Sequence, residues 1–385
     1  MKKPKILHTM TWLAKGGGVD NNVYLNIKGL SDEFEFHLAV GYDIQYNEFE
    51  HLPGLKIHIC KTMGRAINLK GDLMALIYFI KLIKREHYDI VHTHEAKASI
   101  ISRIAAFICG VKCIYGLHGV TFNDPLSAIR RNFYILLERL TIWMNCYITS
   151  TGQESVDHYH DNNIGNNIRF RVIHSGIDLE DFYSSAITSP EDKVELRSGL
   201  GIGTEDIVIS NIGRFSYSKA QRYTIEAFSI INNQYPKTKL LLIGEGELKE
   251  ECINLVQKFN LDNSVIFYGF SSEISRVLSI TDIFAFTSLR EGLPRAVVEA
   301  SLMKIPTVAF DVEGVKEVLD NDKSGYIVPQ FDIDQFVDKL KILIRDLDKR
   351  KLFGELAFDS VSDKWDSVKM INSHREVYNM ILNQN

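Results

Sequence analysis

The sequence predicts an α/β protein of two doubly wound parallel-sheet domains, and three observations carry that expectation. Short β-rich runs alternate with amphipathic helical stretches from end to end, the pattern of parallel strands with helices on both faces. The alternation breaks at the polar stretch "SSAITSPEDKVELRSGLGIGTED" (184–206) and then restarts, which marks that stretch as the interdomain connection. At 385 residues the chain also exceeds the usual size of a single core. We therefore expect an N-terminal domain over 1–185 and a C-terminal domain over 186–363. A tail helix within 364–385 is expected to pack back on the first domain.

Each element follows from its local pattern. Apolar, β-branched runs predict first-half strands at 5–10, 36–41, 56–60, 89–94, 113–118, 146–151 and 170–176. Helical periodicity fits 19–31, 71–87, 96–109, 125–145 and 152–160. After the break, strands are expected at 207–213, 239–244, 265–270, 282–288, 307–310 and 325–329. Helices at 218–235, 247–260, 272–280, 294–303 and 313–320 separate them. In doubly wound folds ligands sit at the carboxyl ends of strands, and a cleft between two such domains is the expected site.

Composition narrows the class. Hydrophobic residues make up 45% and charged residues 24%, as in ordinary globular proteins. A net charge of −5 carries no nucleic-acid signature. Residues 56–139 nevertheless hold 13 Lys/Arg against 6 Asp/Glu, among them Lys81, Lys84, Arg85, Arg130 and Arg131. Such a basic region fits either a solvated surface or peripheral contact with an anionic membrane. The longest apolar stretch is interrupted by Arg103 and Lys112, so no membrane span is expected. Five cysteines with no zinc-like spacing read as reduced, buried thiols of a cytoplasmic protein.

Several strand ends carry chemistry. In "LREGLPRAVVEA", Glu291 and Glu299 bracket a turn of Gly292, Leu293 and Pro294. Pro294 suits the first helical position, and free amides from Arg295 to Val297 would offer a positive helix end to a diphosphate. Carboxylates there suit sugar or ribose hydroxyls, although by themselves both read more readily as a solvated helix residue and a loop charge. In "NIGRFSYSKA", a strand ends at Gly213, with Arg214 next and Lys219 opening a helix. Two cations at a strand end can hold a diphosphate and neutralise it as it leaves. "KGGG" supplies Gly16 and Gly17 for close backbone approach, and Gly244 ends a strand in "LLIGEGEL". His118 ends another strand. The His92-x-His94 pair hints at metal but has no evident third ligand, and the Asp-x-Asp pairs at 320, 332 and 346 read as caps, so no metal site is expected.

Taken in order, "KGGG", "VHTHEAKAS", "GLHGVTF", "VIHSGIDLEDF", "NIGRFSYSKA", "LLIGEGEL" and "EGLPRAVVEA" resemble the retaining glycosyltransferases of family 4. That resemblance, which spans about residues 5–330, implies the GT-B fold of two Rossmann-like domains facing across a cleft. It implies that Glu291 contacts hydroxyls of a donor sugar and Glu299 the ribose. Arg214 and Lys219 would hold the diphosphate, His118 would face the donor sugar, and Gly16 and Gly17 would close over phosphate and acceptor. Backbone groups around Tyr268 and Phe270 would meet the base. One departure is Ala220, where glycine is usual.

The implied reaction is metal-independent hexosyl transfer from a nucleotide diphosphate sugar, UDP-sugar favoured, with no other cofactor. "VHTHEAKASIISRIAAFICGV" is most similar to members that build bacterial surface polysaccharide on lipid-linked acceptors. Competing expectations are a nucleotide-sugar epimerase of similar architecture and a non-catalytic nucleotide-sugar-binding module.

Overall fold

The structure, a computed structural model, describes residues 3–13, 18–44, 48–64, 66–120, 122 and 128–383. The chain forms two compact units, Met1–Gly176 with Ser367–Asn385, and Ile177–Asp366.

In the first unit, strands β1 (Lys5–Leu13), β2 (Glu35–Ile44), β3 (Lys56–Ile59), β4 (Ile90–His94), β5 (Lys112–Leu117), β6 (Tyr147–Ser150) and β7 (Arg169–Val172) make one sheet. Their order is β3-β2-β1-β4-β5-β6-β7, and every pair is parallel. Helices α1 (Gly18–Leu30), α2 (Leu69–Glu86), α3 (Ala96–Cys109), α4 (Ala128–Thr141) and α5 (Gln153–Asp161) connect the strands. β1 is buried on both faces because its alternate residues enter two cores. Ile6 and Met10 join one cluster with Leu38, Val40 and Val23. Leu7 points the other way, among Val91, Phe79, Ile101 and Ala105.

The second unit opens with α6 (Leu179–Ser184) and α7 (Pro190–Gly199). Its strands are β8 (Ile207–Ile212), β9 (Thr238–Ile243), β10 (Val265–Gly269), β11 (Ile283–Phe286), β12 (Thr307–Phe310) and β13 (Gly325–Val328). They lie in the order β10-β9-β8-β11-β12-β13, again all parallel. α8 (Gln221–Gln234) and α13 (Ile333–Arg345) cover one face, bringing Phe228, Ile231, Phe336 and Leu340 onto Leu240, Leu242 and Phe310. α11 (Arg295–Leu302) and α14 (Leu347–Val361) serve the other, where Val297, Val298 and Val361 meet Phe284 and Phe286. The remaining helices are α9 (Lys249–Lys258), α10 (Ile274–Leu278), α12 (Val315–Val318) and α15 (Ser367–Leu382). α15 returns to the first unit, burying Met370, Val377, Tyr378 and Ile381 against β1, β2 and β4.

Two expectations are corrected. The first unit ends at Gly176, not 185, because α6 is tied to the second unit. Tyr183 Oη donates to the Leu302 carbonyl at 3.0 Å, and Ser275 Oγ donates to the Phe182 carbonyl. The stretch 184–206 is no plain connection either, since it contains α7. Ser189 caps that helix by accepting from Asp192 N–H, Pro190 follows, and Glu191 and Asp192 fill the first turn.

Arg103, which argued against a membrane span, is fully buried in α3. It meets Glu138 of α4 at 2.8 Å, donates to Ser99 at 2.6 Å and lies 4.5 Å over the Tyr115 ring. Among the described residues no helix is long and apolar enough to cross a membrane. Removing one partner of a buried pair strands the other charge. Glu138→Ala should therefore lower unfolding free energy by about 3–5 kcal/mol in urea titration, while a paired apolar replacement of Arg103 and Glu138 costs much less.

Candidate active site

Both sheets reverse their strand order once, between β1 and β4 and between β8 and β11. The carboxyl ends of strands at such a reversal diverge and leave a crevice for a ligand. Most of the residues singled out in the second unit follow β8 or β11.

After β8, Gly213 and Arg214 begin a loop that ends at Lys219 and Ala220, the cap of α8. Gln221 Nε2 holds this loop by donating to the carbonyls of Gly213 and Arg214, both at 3.1 Å. Ala220 adopts a left-handed φ of 50°, a conformation that costs a non-glycine residue about 1 kcal/mol and accounts for the glycine usual here. Gly244 and Gly246 have packing duties. A Cβ at Gly244 would fall 2.1 Å from the Gly213 carbonyl oxygen, and one at Gly246 would fall 2.3 Å from that of Phe215. The loop after β9 can therefore lie directly on the loop that carries both cations.

After β11, Thr287 and Ser288 are buried, and Leu289 N–H donates to the Ser218 carbonyl at 2.7 Å. That bond brings the two loops together. Glu291 Oε1 then lies 2.5 Å from Lys219 Nζ, with the carboxylate largely buried and the ammonium partly exposed. Arg214 pairs with the exposed Glu247 at 3.2 Å, and Arg295 Nε donates to Glu299 at 2.8 Å. Each expected cation or carboxylate thus has a protein counter-charge. An exposed pair such as Arg214–Glu247 is worth little and exchanges readily for a stronger anion. Gly314, at φ 80°, seats against the Gly292–Pro294 turn, where a Cβ would come within 2.6 Å of the Gly292 carbonyl oxygen.

The start of α11 departs from expectation. Pro294 is the cap rather than the first helical residue. Arg295 N–H donates to the Leu293 carbonyl and Val297 N–H to that of Pro294, both at 2.9 Å. Only Ala296 of the three amides lacks such a local bond. Val297 itself is a core residue. Tyr268, in β10, packs its half-buried ring near Leu241 and Ile243, whereas Phe270 just beyond is exposed. Gly16 and Gly17 lie outside the described residues. Asp332 and Asp346 cap α13 and α14.

In the first unit His118 follows β5, and Nε2 lies 2.9 Å from His94 Nδ1. The third histidine that the sequence did not reveal is His8. Strand register sets His8 directly opposite His92 and His94 opposite Gly116. A ring nitrogen from each of His8, His92 and His94 lies within 4.8 Å of the others, a set able to hold one metal ion. Burial depresses His8 to about 3 and His118 to about 4, so these rings are neutral at neutral pH.

The next residue along β4's exit, Glu95, has a φ of 60°, costly for a side chain of this type. Its carboxylate accepts from Thr11 N–H at 2.6 Å. Burial, opposed by that bond and reinforced by nearby Asp20, lifts it to about 7.

Comparison with known proteins gives this arrangement a lineage. A family model described as "Glycosyltransferase Family 4" matches residues 16–181, and "Glycosyl transferases group 1" matches residues 192–359. The chain belongs to the glycosyltransferases that combine these two domains. It is 28% identical, over 84% of both chains, to an Escherichia coli UDP-Gal:alpha-D-GlcNAc-diphosphoundecaprenol alpha-1,3-galactosyltransferase. It is 24% identical to the Staphylococcus aureus capsular polysaccharide biosynthesis glycosyltransferase CapM, over 100% of this chain and 99% of that one. The solved structure of Anabaena HepE with UDP and glucose superposes with a TM-score of 0.82 at 22% identity, covering 98% of this chain and 100% of that one. The fold is GT-B.

Glu95 yields a pH test. The folded protein binds this proton more tightly than the unfolded chain does, so ionisation costs stability. The contribution is fully present below the ordinary 4.5 and is lost as pH climbs towards about 7. In urea titrations across that window, wild type should lose stability relative to Glu95→Gln as pH rises. A constant difference between the two proteins would show that the carboxyl titrates normally.

Proposed function

We propose that this glycosyltransferase moves a hexose from a UDP-sugar to a saccharide carried on a lipid diphosphate, with retention at the anomeric carbon, in surface polysaccharide synthesis. The observation that carries this reading is the Lys219–Glu291 pair at the strand-order reversal of the second sheet. In this reading the diphosphate displaces the carboxylate from Lys219 and draws Arg214 from Glu247. Glu291, released from its partner, accepts hydroxyls of the donor sugar, while Glu299 takes the ribose. The bond from the anomeric carbon to the phosphate oxygen breaks as the acceptor oxygen bonds to the same face. The acceptor's proton passes to the leaving phosphate. Lys219 and Arg214 stabilise the charge that develops there, so transfer should survive EDTA. The UDP-bound HepE structure and the galactosyltransferase of E. coli support the donor and acceptor classes.

A lipid-linked acceptor requires access to a membrane surface, and the first unit offers a matching face. α3 packs against both α2 and α4. α4 and the turn after it expose Ile129, Phe133, Leu136, Leu140 and Trp143, and α2 exposes Leu69, Leu73 and Met74. Lys81, Lys84, Arg85, Arg130 and Arg131 are exposed on the same helices. Apolar side chains interleaved with cations suit the interface of an anionic bilayer, where each cation contributes about 1 kcal/mol.

Lys219→Ala and Glu291→Ala should each reduce transfer by about 10²–10³-fold while circular dichroism stays unchanged. Near-normal turnover in both would remove the site. On vesicles containing phosphatidylglycerol, the chain should sediment at low salt and be released by high salt. Phe133→Ser with Trp143→Ser should abolish sedimentation, and equal binding to neutral vesicles would refute the electrostatic part.

A further inference from the structure

We infer that a buried hydrogen-bond relay through His94, His8 and Tyr378 fixes His118 in a single tautomer, protonated on Nε2, so that Nδ1 presents an acceptor. The assignment of His118 to the donor-sugar side rests on the family resemblance behind the proposed function; the relay does not.

The relay is read directly from its links. His118 Nε2 lies 2.9 Å from His94 Nδ1, and His94 Nε2 lies 2.9 Å from His8 Nδ1. His8 Nε2 then reaches Tyr378 Oη at 3.3 Å. The same hydroxyl lies 2.8 Å from His92 Nδ1 and 3.2 Å from Asn26 Oδ1. The rings of His8, His92 and His94 and the Tyr378 side chain are buried, and among the described residues these rings hydrogen-bond only to other imidazoles and to the tyrosine hydroxyl, with no carboxylate to hold a second proton.

A neutral imidazole has one N–H and one lone pair. A row of such rings must therefore donate in one direction throughout, and its end sets the direction. At that end the Asn26 amide turns Oδ1 to the hydroxyl at 3.2 Å and leaves Nδ2 without a partner, and in this orientation the single Tyr378 proton goes to Oδ1. Both ring nitrogens at the hydroxyl must then donate. His8 carries its proton on Nε2 and accepts at Nδ1 from His94 Nε2–H. His94 accepts at Nδ1 from His118 Nε2–H. The lone pair on His118 Nδ1 is what remains, and among the described residues it has no partner.

The space for this row is built into the sheet. Gly116 lies opposite His94, and a Cβ there would fall 2.6 Å from His94 Nδ1 and 3.2 Å from His92 Nε2. His92 Nε2 is left without a partner and borders a cavity of about 20 Å³ shared with Asn22, Asn26 and His374. His94, His8 and Tyr378 are thus positioning residues. In the proposed reaction they make His118 an acceptor for a sugar hydroxyl rather than a proton donor.

The test is ¹⁵N NMR of the full-length chain labelled at histidine, with the His118 signals identified by their loss in His118→Gln. The expected result is an unprotonated Nδ1 and a protonated Nε2 on His118. Asn26→Asp, which keeps the acceptor, should preserve that state. Tyr378→Phe removes the hydroxyl that receives the His8 and His92 protons and should give mixed tautomers, with kcat/KM for the sugar nucleotide reduced about tenfold, the scale of one hydrogen bond. A proton on His118 Nδ1 in the wild type would overturn the inference, and that spectrum suffices even if Tyr378→Phe fails to fold. An unaltered single tautomer in folded Tyr378→Phe would overturn it too. So would one equivalent of tightly bound zinc, since ligation would consume the lone pairs that the relay needs. If the tautomer is as expected but His118→Gln transfers sugar normally, the relay stands and the assignment of His118 to the active site falls.

Discussion

Burying parallel strands on both faces leaves a polar side chain few places to go, and the exits from the strands are the main one. Ile6, Leu7 and Met10 fill two cores from a single strand. The second sheet repeats this with Leu240, Leu241 and Leu242. Charged groups therefore lie beyond the strand ends, and those at the carboxyl ends include the pair at the strand-order reversal of the second sheet. Lys219 and Glu291 meet there because β8 and β11 are sheet neighbours, although the two residues are 72 positions apart.

The second unit keeps its candidate ligand-binding groups paired with protein charges. Lys219 with Glu291, Arg214 with Glu247, and Arg295 with Glu299 leave little uncompensated charge. Under the proposed function, a diphosphate would have to displace these internal partners, and sugar hydroxyls would take the released carboxylates. Such exchange favours a ligand carrying both features over free phosphate, because phosphate alone would strand the acidic partner.

Much of this was legible from local pattern. The strand positions, the β8–α8 loop, the Gly-Leu-Pro turn and the histidine after β5 all lie where apolar runs stop. α7 was missed although its signals were present: a serine cap, Pro190 and two acidic residues in the first turn. There the polar composition outweighed the capping pattern. The partnering of side chains was out of reach for a different reason. His8 meets His92 only through parallel register, and Tyr378 joins them from a helix 286 positions further along than His92. Nor could spacing reveal that Leu293 and Pro294 carbonyls would engage two of the amides at the start of α11.

The route of α15 bears on how the polypeptide comes off the ribosome. Residues 177–366, all of the second unit, are translated before Ser367 begins the helix that covers β1, β2 and β4. The earliest strands to emerge thus wait longest for their last covering, while the later half has everything it requires. Nascent chains stalled just short of Ser367 would leave the apolar flank that α15 covers on that first sheet open to solvent and chaperones.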